Sequence, residues 1–218
     1  MADLAFDAVL CDLDGVVRFY RDEEIARLER EAGIEPGATA RIAFAPEQDL
    51  PLLLGRISRE EWADSIAAVL RERMTGPESG RPARELARAF AYAPSWADAE
   101  AVALLRRARE RVPVLLVTNA TVWLDEDLAC LGLDDLADHV VNSSVVGVAK
   151  PDEAIYRLAA RRAGAAPERC LFVDDSEVNV EAARTLGMTA VLHRETADLR
   201  RALEPILRAA DRADRPGR

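Results

Sequence analysis

Short apolar runs that alternate with amphipathic helical stretches constrain the fold of this 218-residue chain more than any other feature. The runs are continuous in hydrophobicity, which is typical of strands in a parallel sheet that helices cover on both faces. Such runs predict strands at 8–11, 114–117, 140–141, 171–173 and 190–192. Helical periodicity between them predicts helices over 96–111, 123–131, 152–163, 177–186 and 196–209. The pattern therefore predicts an α/β fold with a doubly wound, Rossmann-like parallel sheet.

One stretch, residues 18–95, interrupts this alternation and is too long for a loop of a compact domain. It contains no comparable apolar run, and Ser58 and Glu61 have the spacing of a helix capping box. Helical periodicity in it occurs around 22–32, 58–73 and 82–91. We therefore predict a core domain of residues 1–17 and 96–210, an inserted small helical domain of residues 18–95, and a frayed C-terminal tail of residues 211–218.

The charge, hydropathy and cysteine content of the chain limit which partners and cellular compartments are expected. The chain has 29 basic and 39 acidic residues, a net charge of −10 that disfavours nucleic acid and anionic membranes as partners. No segment approaches the roughly 20 apolar residues of a membrane span, and no basic region precedes an apolar run at the N-terminus. Three widely spaced cysteines and two histidines fit neither a disulfide framework nor a zinc site. We expect a cytoplasmic protein that is a monomer or a small homo-oligomer.

Polar clusters lie at or just beyond the ends of the predicted strands, where open parallel sheets bind ligands. They are Asp12 and Asp14, Thr118 and Asn119, Lys150, and Asp174 and Asp175. Two carboxylate pairs in one place repel each other unless a cation lies between them, and a hard divalent ion such as Mg²⁺ suits oxygen ligands. Lys150 is the only lysine among the 29 basic residues, and a compact ammonium group suits phosphate. The clusters together favour a site for a metal and a phosphate monoester.

The residues alone leave alternatives open. Thr118 and Asn119 are equally typical of the cap of a following helix. A single lysine can also be an accident of composition. Asp12 fits a helix cap less well, because no helix clearly starts after it.

Taken in order, these clusters resemble the four motifs of the haloacid dehalogenase-like (HAD) hydrolases. The matching segments are 12–17, 117–119, 150–152 and 172–176. The resemblance covers residues 3–17 and about 96–193, and the insert lies where the family places its small helical cap domain. Within the family, the chain looks most like the small-cap sugar-phosphate phosphatases and the phosphatase domain attached to soluble epoxide hydrolases.

The resemblance implies a catalytic role for each of several residues. Asp12 would be the nucleophile that forms an aspartyl-phosphate, and Asp14 would protonate the leaving oxygen and then activate water. Thr118 and the backbone of Asn119 would bind the phosphoryl group, and Lys150 would hold that group and the nucleophile together electrostatically.

The same resemblance implies a magnesium site. Asp12 and Asp175 would be direct ligands of the ion, and the backbone carbonyl of Asp14 would be the third ligand that the protein supplies. Asp174 would be an additional ligand or lie behind the ligands, and Asn179 would orient the carboxylates.

The resulting prediction is a Mg²⁺-dependent phosphatase that acts on a small phosphorylated metabolite, such as a sugar phosphate. We expect Arg18, Tyr20 and Arg21, which follow the nucleophile loop, to contact the substrate. The alternatives are a phosphomutase or phosphotransferase on the same site, a 2-haloacid dehalogenase and a non-catalytic binding module. The true dehalogenases of the family lack the second aspartate of the first motif and use no magnesium, so the presence of Asp14 favours phosphoryl chemistry.

Overall fold

The chain folds around a five-stranded sheet in a computed structural model that describes residues 5–74 and 79–213, with side chains up to residue 208. The strands of the whole described chain are β1 (Ala8–Cys11), β2 (Arg18–Tyr20), β3 (Ser95–Ala97), β4 (Val114–Thr118), β5 (His139–Asn142), β6 (Cys170–Asp174) and β7 (Thr189–Leu192). The large sheet has the order β5-β4-β1-β6-β7, and each pair of neighbours is parallel. This confirms the predicted α/β fold.

The sheet is buried on both faces. Val9 and Cys11 of β1 pack in one apolar cluster, while Ala8 and Leu10 pack in a second cluster on the opposite face. All four side chains are fully buried, because successive residues of a strand point to opposite faces and helices cover each face. This burial on both faces explains why the apolar runs in the sequence are continuous.

Helices connect the strands. They are α1 (Glu23–Glu31), α2 (Ala38–Ala43), α3 (Pro46–Leu53), α4 (Arg59–Arg73), α5 (Gly80–Ala91), α6 (Ala99–Arg109), α7 (Leu124–Cys130), α8 (Ser143–Val146), α9 (Glu153–Ala163), α10 (Glu177–Thr185) and α11 (Thr196–Ala213), with a 3₁₀ turn at Pro167–Arg169. The predicted core helices lie close to these bounds, whereas α2, α3 and α8 were not predicted. These three helices are short, and α3 contains an internal proline, Pro51, so their helical periodicity is weak.

Two compact units make up the chain. One unit runs to Phe19 and resumes at Ala97, and the other spans Tyr20–Trp96 and contains α1–α5. The second unit is called the helical unit below, and the first is called the core unit. At the start of α4, the Ser58 hydroxyl accepts a hydrogen bond from the Glu61 backbone N–H at 3.2 Å, and the Glu61 carboxylate accepts one from the Ser58 backbone N–H at 2.7 Å. The predicted capping box is present.

Two details of the chain organisation differ from the prediction. Short strands β2 and β3 form a separate two-stranded sheet at the two ends of the inserted segment, where no strand was predicted. The last helix continues to Ala213, so residues 211–213 are helical and do not belong to a tail, and the rest of the predicted tail lies outside the described residues. None of the helices in the described part of the chain is long and apolar enough to cross a bilayer.

Candidate active site

Three of the predicted site residues lie at one edge of the sheet, at the ends of three neighbouring strands. Asp12 follows β1, Thr118 ends β4 and Asp174 ends β6. The register pairs Cys11 with Leu116 of β4 and with Val173 of β6, so the three strands end at nearly the same level. The backbone N–H of Asp12 donates to the Val173 carbonyl at 2.8 Å, which extends the hydrogen-bond ladder of the sheet to Asp12.

Lys150 lies between two buried aspartates. Its Nζ is 2.7 Å from Asp12 Oδ1 and 2.7 Å from Asp174 Oδ2, and all three side chains are buried. Burial alone would lower the pKa of Lys150, but the two carboxylates raise it above its ordinary value. The ammonium group is therefore held in its charged form as a fixed point charge at this edge of the sheet.

Asn119 fixes the loop that carries Lys150. Its side-chain amide donates to the Lys150 carbonyl at 2.9 Å, and its Oδ1 accepts a hydrogen bond from the Lys150 backbone N–H at 2.7 Å. The side chain of Asn119 is thus engaged with the backbone of Lys150. This positioning contact, between residues 31 positions apart, was not predicted from the sequence.

The two oxygens of Asp12 have different surroundings. Oδ1 accepts hydrogen bonds from the Leu13 backbone N–H at 2.8 Å and from Lys150. Oδ2 accepts none from the described residues, so one oxygen is held while the other is available to attack an electrophile. Burial raises the pKa of Asp12, Lys150 lowers it in part, and the neighbouring Asp174 raises it again.

A candidate metal site adjoins Lys150. Oxygen atoms of Asp12, Asp174 and Asp175 all lie within 4.8 Å of one another. Desolvation and the charge of Asp174 raise the pKa of Asp175, as expected for carboxylates gathered without enough positive charge. Three carboxylates against one ammonium leave about two uncompensated negative charges, and hard oxygen donors of that charge suit Mg²⁺. The residues present therefore fit the ion that the family implies.

Asp174 has most of its hydrogen-bonding capacity occupied. Its Oδ1 accepts from the Ser176 backbone N–H at 2.8 Å and from Asn179 Nδ2 at 3.0 Å, while Oδ2 is paired with Lys150. Asn179 was predicted to orient the carboxylates, and it lies against Asp174. By contrast, Asp175 is exposed to solvent.

Gly15 allows the loop that follows Asp12 to approach Asp175. Its φ is +78°, a left-handed conformation that L side chains rarely adopt, and a Cβ atom there would lie 2.3 Å from Asp175 Oδ2. Any larger residue would displace that carboxylate. The turn after Asp12 and the candidate metal site therefore depend on the same glycine.

Thr118 presents a buried hydroxyl. Its side chain is fully buried, and Oγ1 has no hydrogen-bond partner in the described part of the chain. Buried polar groups without partners are rare and costly, so such a group at the edge of a sheet is typical of a ligand site. The hydroxyl can donate to an anionic oxygen.

Asp14 points to Arg18 and is not part of the carboxylate cluster. Arg18 Nε lies 2.5 Å from Asp14 Oδ1, Arg18 Nη2 donates to Oδ2 at 2.9 Å, and Nη1 reaches Asp127 Oδ2 at 3.3 Å. Arg18, which we expected to contact substrate, is thus buried in an ion pair. Asp127 was not predicted as a site residue, because it lies in an acidic run that is typical of the first turn of a helix.

Tyr20 and Arg21, the other residues expected to contact substrate, begin the helical unit and are exposed. The backbone N–H of Arg21 donates to the Pro94 carbonyl at 2.9 Å. Their role in substrate binding stays a prediction.

Comparison with known proteins identifies the family of the chain. The family model for haloacid dehalogenase-like hydrolases matches residues 6–187. A phosphatase of Mycobacterium tuberculosis, MT3486, is 32% identical over 206 residues, which cover 87% of this chain and 88% of the relative. Bifunctional epoxide hydrolase 2 of Rattus norvegicus is 25% identical over 93% of this chain, which spans only 39% of that relative's length.

A solved structure shares the fold. The HAD-family enzyme bt-2542 of Bacteroides thetaiotaomicron, crystallised with magnesium and inorganic phosphate, has a TM-score of 0.63 at 22% identity, covering 87% of this chain and 94% of that one. The sheet order and the helices that connect its strands define a doubly wound α/β protein. The chain belongs to the haloacid dehalogenase-like hydrolases, among which it has relatives named as phosphatases.

Proposed function

We propose that this protein is a Mg²⁺-dependent phosphatase that hydrolyses a small phosphorylated metabolite through an aspartyl-phosphate on Asp12. The observation that carries the proposal is the contact of Lys150 with both Asp12 and Asp174, at 2.7 Å each, beside a third carboxylate. A positive point charge next to a nucleophilic carboxylate and a cluster of oxygen ligands suits the transfer of a phosphoryl group. The structure bt-2542, which contains magnesium and phosphate, supports the same chemistry.

The first step would occur at Asp12. Oδ2 attacks phosphorus, the bond from phosphorus to the ester oxygen breaks, and Asp14 gives a proton to the departing alcohol. In the second step Asp14 accepts a proton from water, the water oxygen attacks phosphorus, and Asp12 is released with inorganic phosphate. Lys150 and the Thr118 hydroxyl would stabilise the charge on the phosphoryl oxygens throughout.

The metal would be held by Asp12 and Asp175, with Asp174 either as a further ligand or oriented behind them by Asn179. When bound, Mg²⁺ would withdraw charge from the phosphoryl oxygens as a Lewis acid. The backbone carbonyl of Asp14 is the remaining ligand that we propose.

The helical unit is our candidate for the substrate-selecting cap domain. The proposed boundaries follow the division of the chain at residues 19–20 and 96–97, close to the 18–95 insert expected from the sequence. The chain's net charge of −10 makes a small phosphorylated metabolite a better substrate than a polyanion.

Phosphate release from a panel of small phosphomonoesters tests the proposal. We expect turnover that requires Mg²⁺, is lost with a chelator, and falls by on the order of 10⁴-fold or more in Asp12→Asn, because that variant lacks the attacking carboxylate. Asp7→Asn is the matched control, because Asp7 is an exposed carboxylate paired with Arg169. Release that persists in Asp12→Asn would contradict the assigned nucleophile. Chloride release from 2-haloacids without magnesium would favour a dehalogenase instead.

A further inference from the structure

Arg18 holds Asp14 by both of its carboxylate oxygens. The guanidinium contacts are 2.5 Å from Nε to Oδ1 and 2.9 Å from Nη2 to Oδ2, the paired geometry that a planar guanidinium forms with a carboxylate. Such a pair fixes the rotation of the carboxylate plane, which a single hydrogen bond does not. The side chain of Asp14 is about one-third exposed and that of Arg18 is 3% exposed, so the anchor is more deeply buried than the group it holds.

Arg18 is itself held on two sides. Its backbone N–H donates to the Leu13 carbonyl at 2.8 Å, and its carbonyl accepts from the Gly15 N–H at 2.9 Å, so its main chain belongs to the nucleophile loop. Its remaining terminal nitrogen, Nη1, reaches Asp127 Oδ2 of α7 at 3.3 Å. The guanidinium is thus fixed between the loop that carries the nucleophile and a helix of the core unit.

We infer that Arg18 is a positioning residue, which aligns the Asp14 carboxyl for proton transfer to the leaving oxygen, and that Asp127 aligns Arg18. This inference rests on the proposed function, in which Asp14 is the general acid. It differs from the substrate contact expected of Arg18, because the buried guanidinium is directed at two protein carboxylates. Proton transfer needs the donor within hydrogen-bond reach of the ester oxygen, so a carboxyl that rotates freely would lose catalytic power.

The dependence of rate on the leaving group separates this role from other roles. An alkyl phosphate needs a proton on its departing oxygen, whereas 4-nitrophenyl phosphate releases a stable anion that needs little help. A residue that positions the acid therefore affects alkyl substrates selectively. A residue that binds the phosphoryl group or supports the fold affects both substrates alike.

The experiment compares kcat/KM for glycerol phosphate and 4-nitrophenyl phosphate in Arg18→Lys, Asp127→Asn and the wild type. Arg18→Lys keeps the charge but cannot form the two-point contact. We expect it to lose on the order of 10²-fold on glycerol phosphate and only about threefold on 4-nitrophenyl phosphate. Asp127→Asn should show a smaller selective loss of about fivefold, because it removes only the outer anchor.

Arg106→Gln is the control, since Arg106 forms an exposed ion pair with Asp135 and should change neither rate. Equal losses on the two substrates, or full activity of Arg18→Lys on glycerol phosphate, would overturn the inference while leaving the phosphatase intact. Thermal unfolding of each variant identifies a folding defect, and the partly exposed Asp127 supplies the informative variant if Arg18→Lys fails to fold. Absence of phosphate release by the wild type would instead overturn the proposed function, and this inference with it.

Discussion

The core unit and the helical unit use buried polar side chains in different ways. Among the described residues, eight buried polar or charged side chains belong to the core unit and two to the helical unit. Those in the core unit include Asp12, Lys150 and Asp174, which meet in one cluster. In the helical unit, the Glu29 carboxylate accepts hydrogen bonds from backbone N–H groups at the start of α2, at 2.7 and 2.9 Å.

Buried polar groups can support either the fold or a ligand site, and the two units differ in which they support. Burying a charge is costly, and Glu29 offsets that cost by satisfying backbone donors that would otherwise lack partners. The core cluster instead places several carboxylates around one cation. This arrangement favours ligand binding more than it stabilises the fold. The three predictions below test this contrast, in order of decreasing effect.

Removing the central cation should have the largest effect. Lys150→Met leaves Asp12 and Asp174 buried without their counter-charge, which should lower the free energy of unfolding by about 3–5 kcal/mol in the presence of chelator. Lys150 holds the pKa of Asp12 below the value that burial alone would give, so its loss raises that pKa further above the wild-type value of about 8, and the deficit should grow as pH rises through about 8.

Urea denaturation at several pH values measures this effect. The control in the helical unit is Arg41→Met, which breaks an exposed ion pair with Glu35 and should cost about 1 kcal/mol or less. If Lys150→Met lowered the free energy of unfolding no more than the control does, the core cluster would contribute no more to stability than an exposed ion pair.

Gly15→Ala should have the next largest effect. The left-handed backbone costs about 1–2 kcal/mol for a residue with a Cβ, and that atom would also displace Asp175. We expect the apparent affinity for Mg²⁺ to fall about 10- to 100-fold, measured by the metal dependence of both thermal unfolding and turnover.

Gly33→Ala is the matched control in the helical unit. Gly33 has a similar φ of +66°, but a Cβ there meets no atom within 4 Å. This variant should show the strain alone and no change in metal dependence. Equal metal affinities in the two variants would refute the proposed contact of Gly15 with the metal site.

The smallest effect is expected at Asp49, a partly buried carboxylate of α3 that forms no hydrogen bond or ion pair through its side chain within the described chain. Burial raises its pKa to about 6, so the charged form opposes folding as pH rises through that value. Asp49→Asn should therefore stabilise the protein above pH 6. The expected gain in the free energy of unfolding is about 1 kcal/mol, because solvent screens this partly exposed carboxylate. Melting temperatures at pH 4 and pH 7 test this, with the exposed Glu47→Gln as control. A gain at pH 4 as large as that at pH 7 would contradict the assignment.

The sequence predicted the sheet well, because a strand covered on both faces has a local signature. The run at 8–11 coincides with β1, and the runs at 114–117 and 171–173 lie within β4 and β6. The polar residues that follow these runs meet at one edge, because parallel strands end together. The short helices α2 and α3 were not predicted. They have six and eight residues, which form too few turns for a clear amphipathic pattern.

The pattern of residues along the chain was sufficient to predict the α/β fold, the family and the set of polar residues near the strand ends. Their partners became visible only in the folded chain: Lys150 lies between Asp12 and Asp174, Asn119 contacts the Lys150 backbone, and Arg18 lies between Asp14 and Asp127. Most of these contacts join residues that are far apart along the chain. Apolar periodicity is a local property that each segment carries, whereas an ion pair between residues 109 positions apart exists only once the sheet has placed both of their segments.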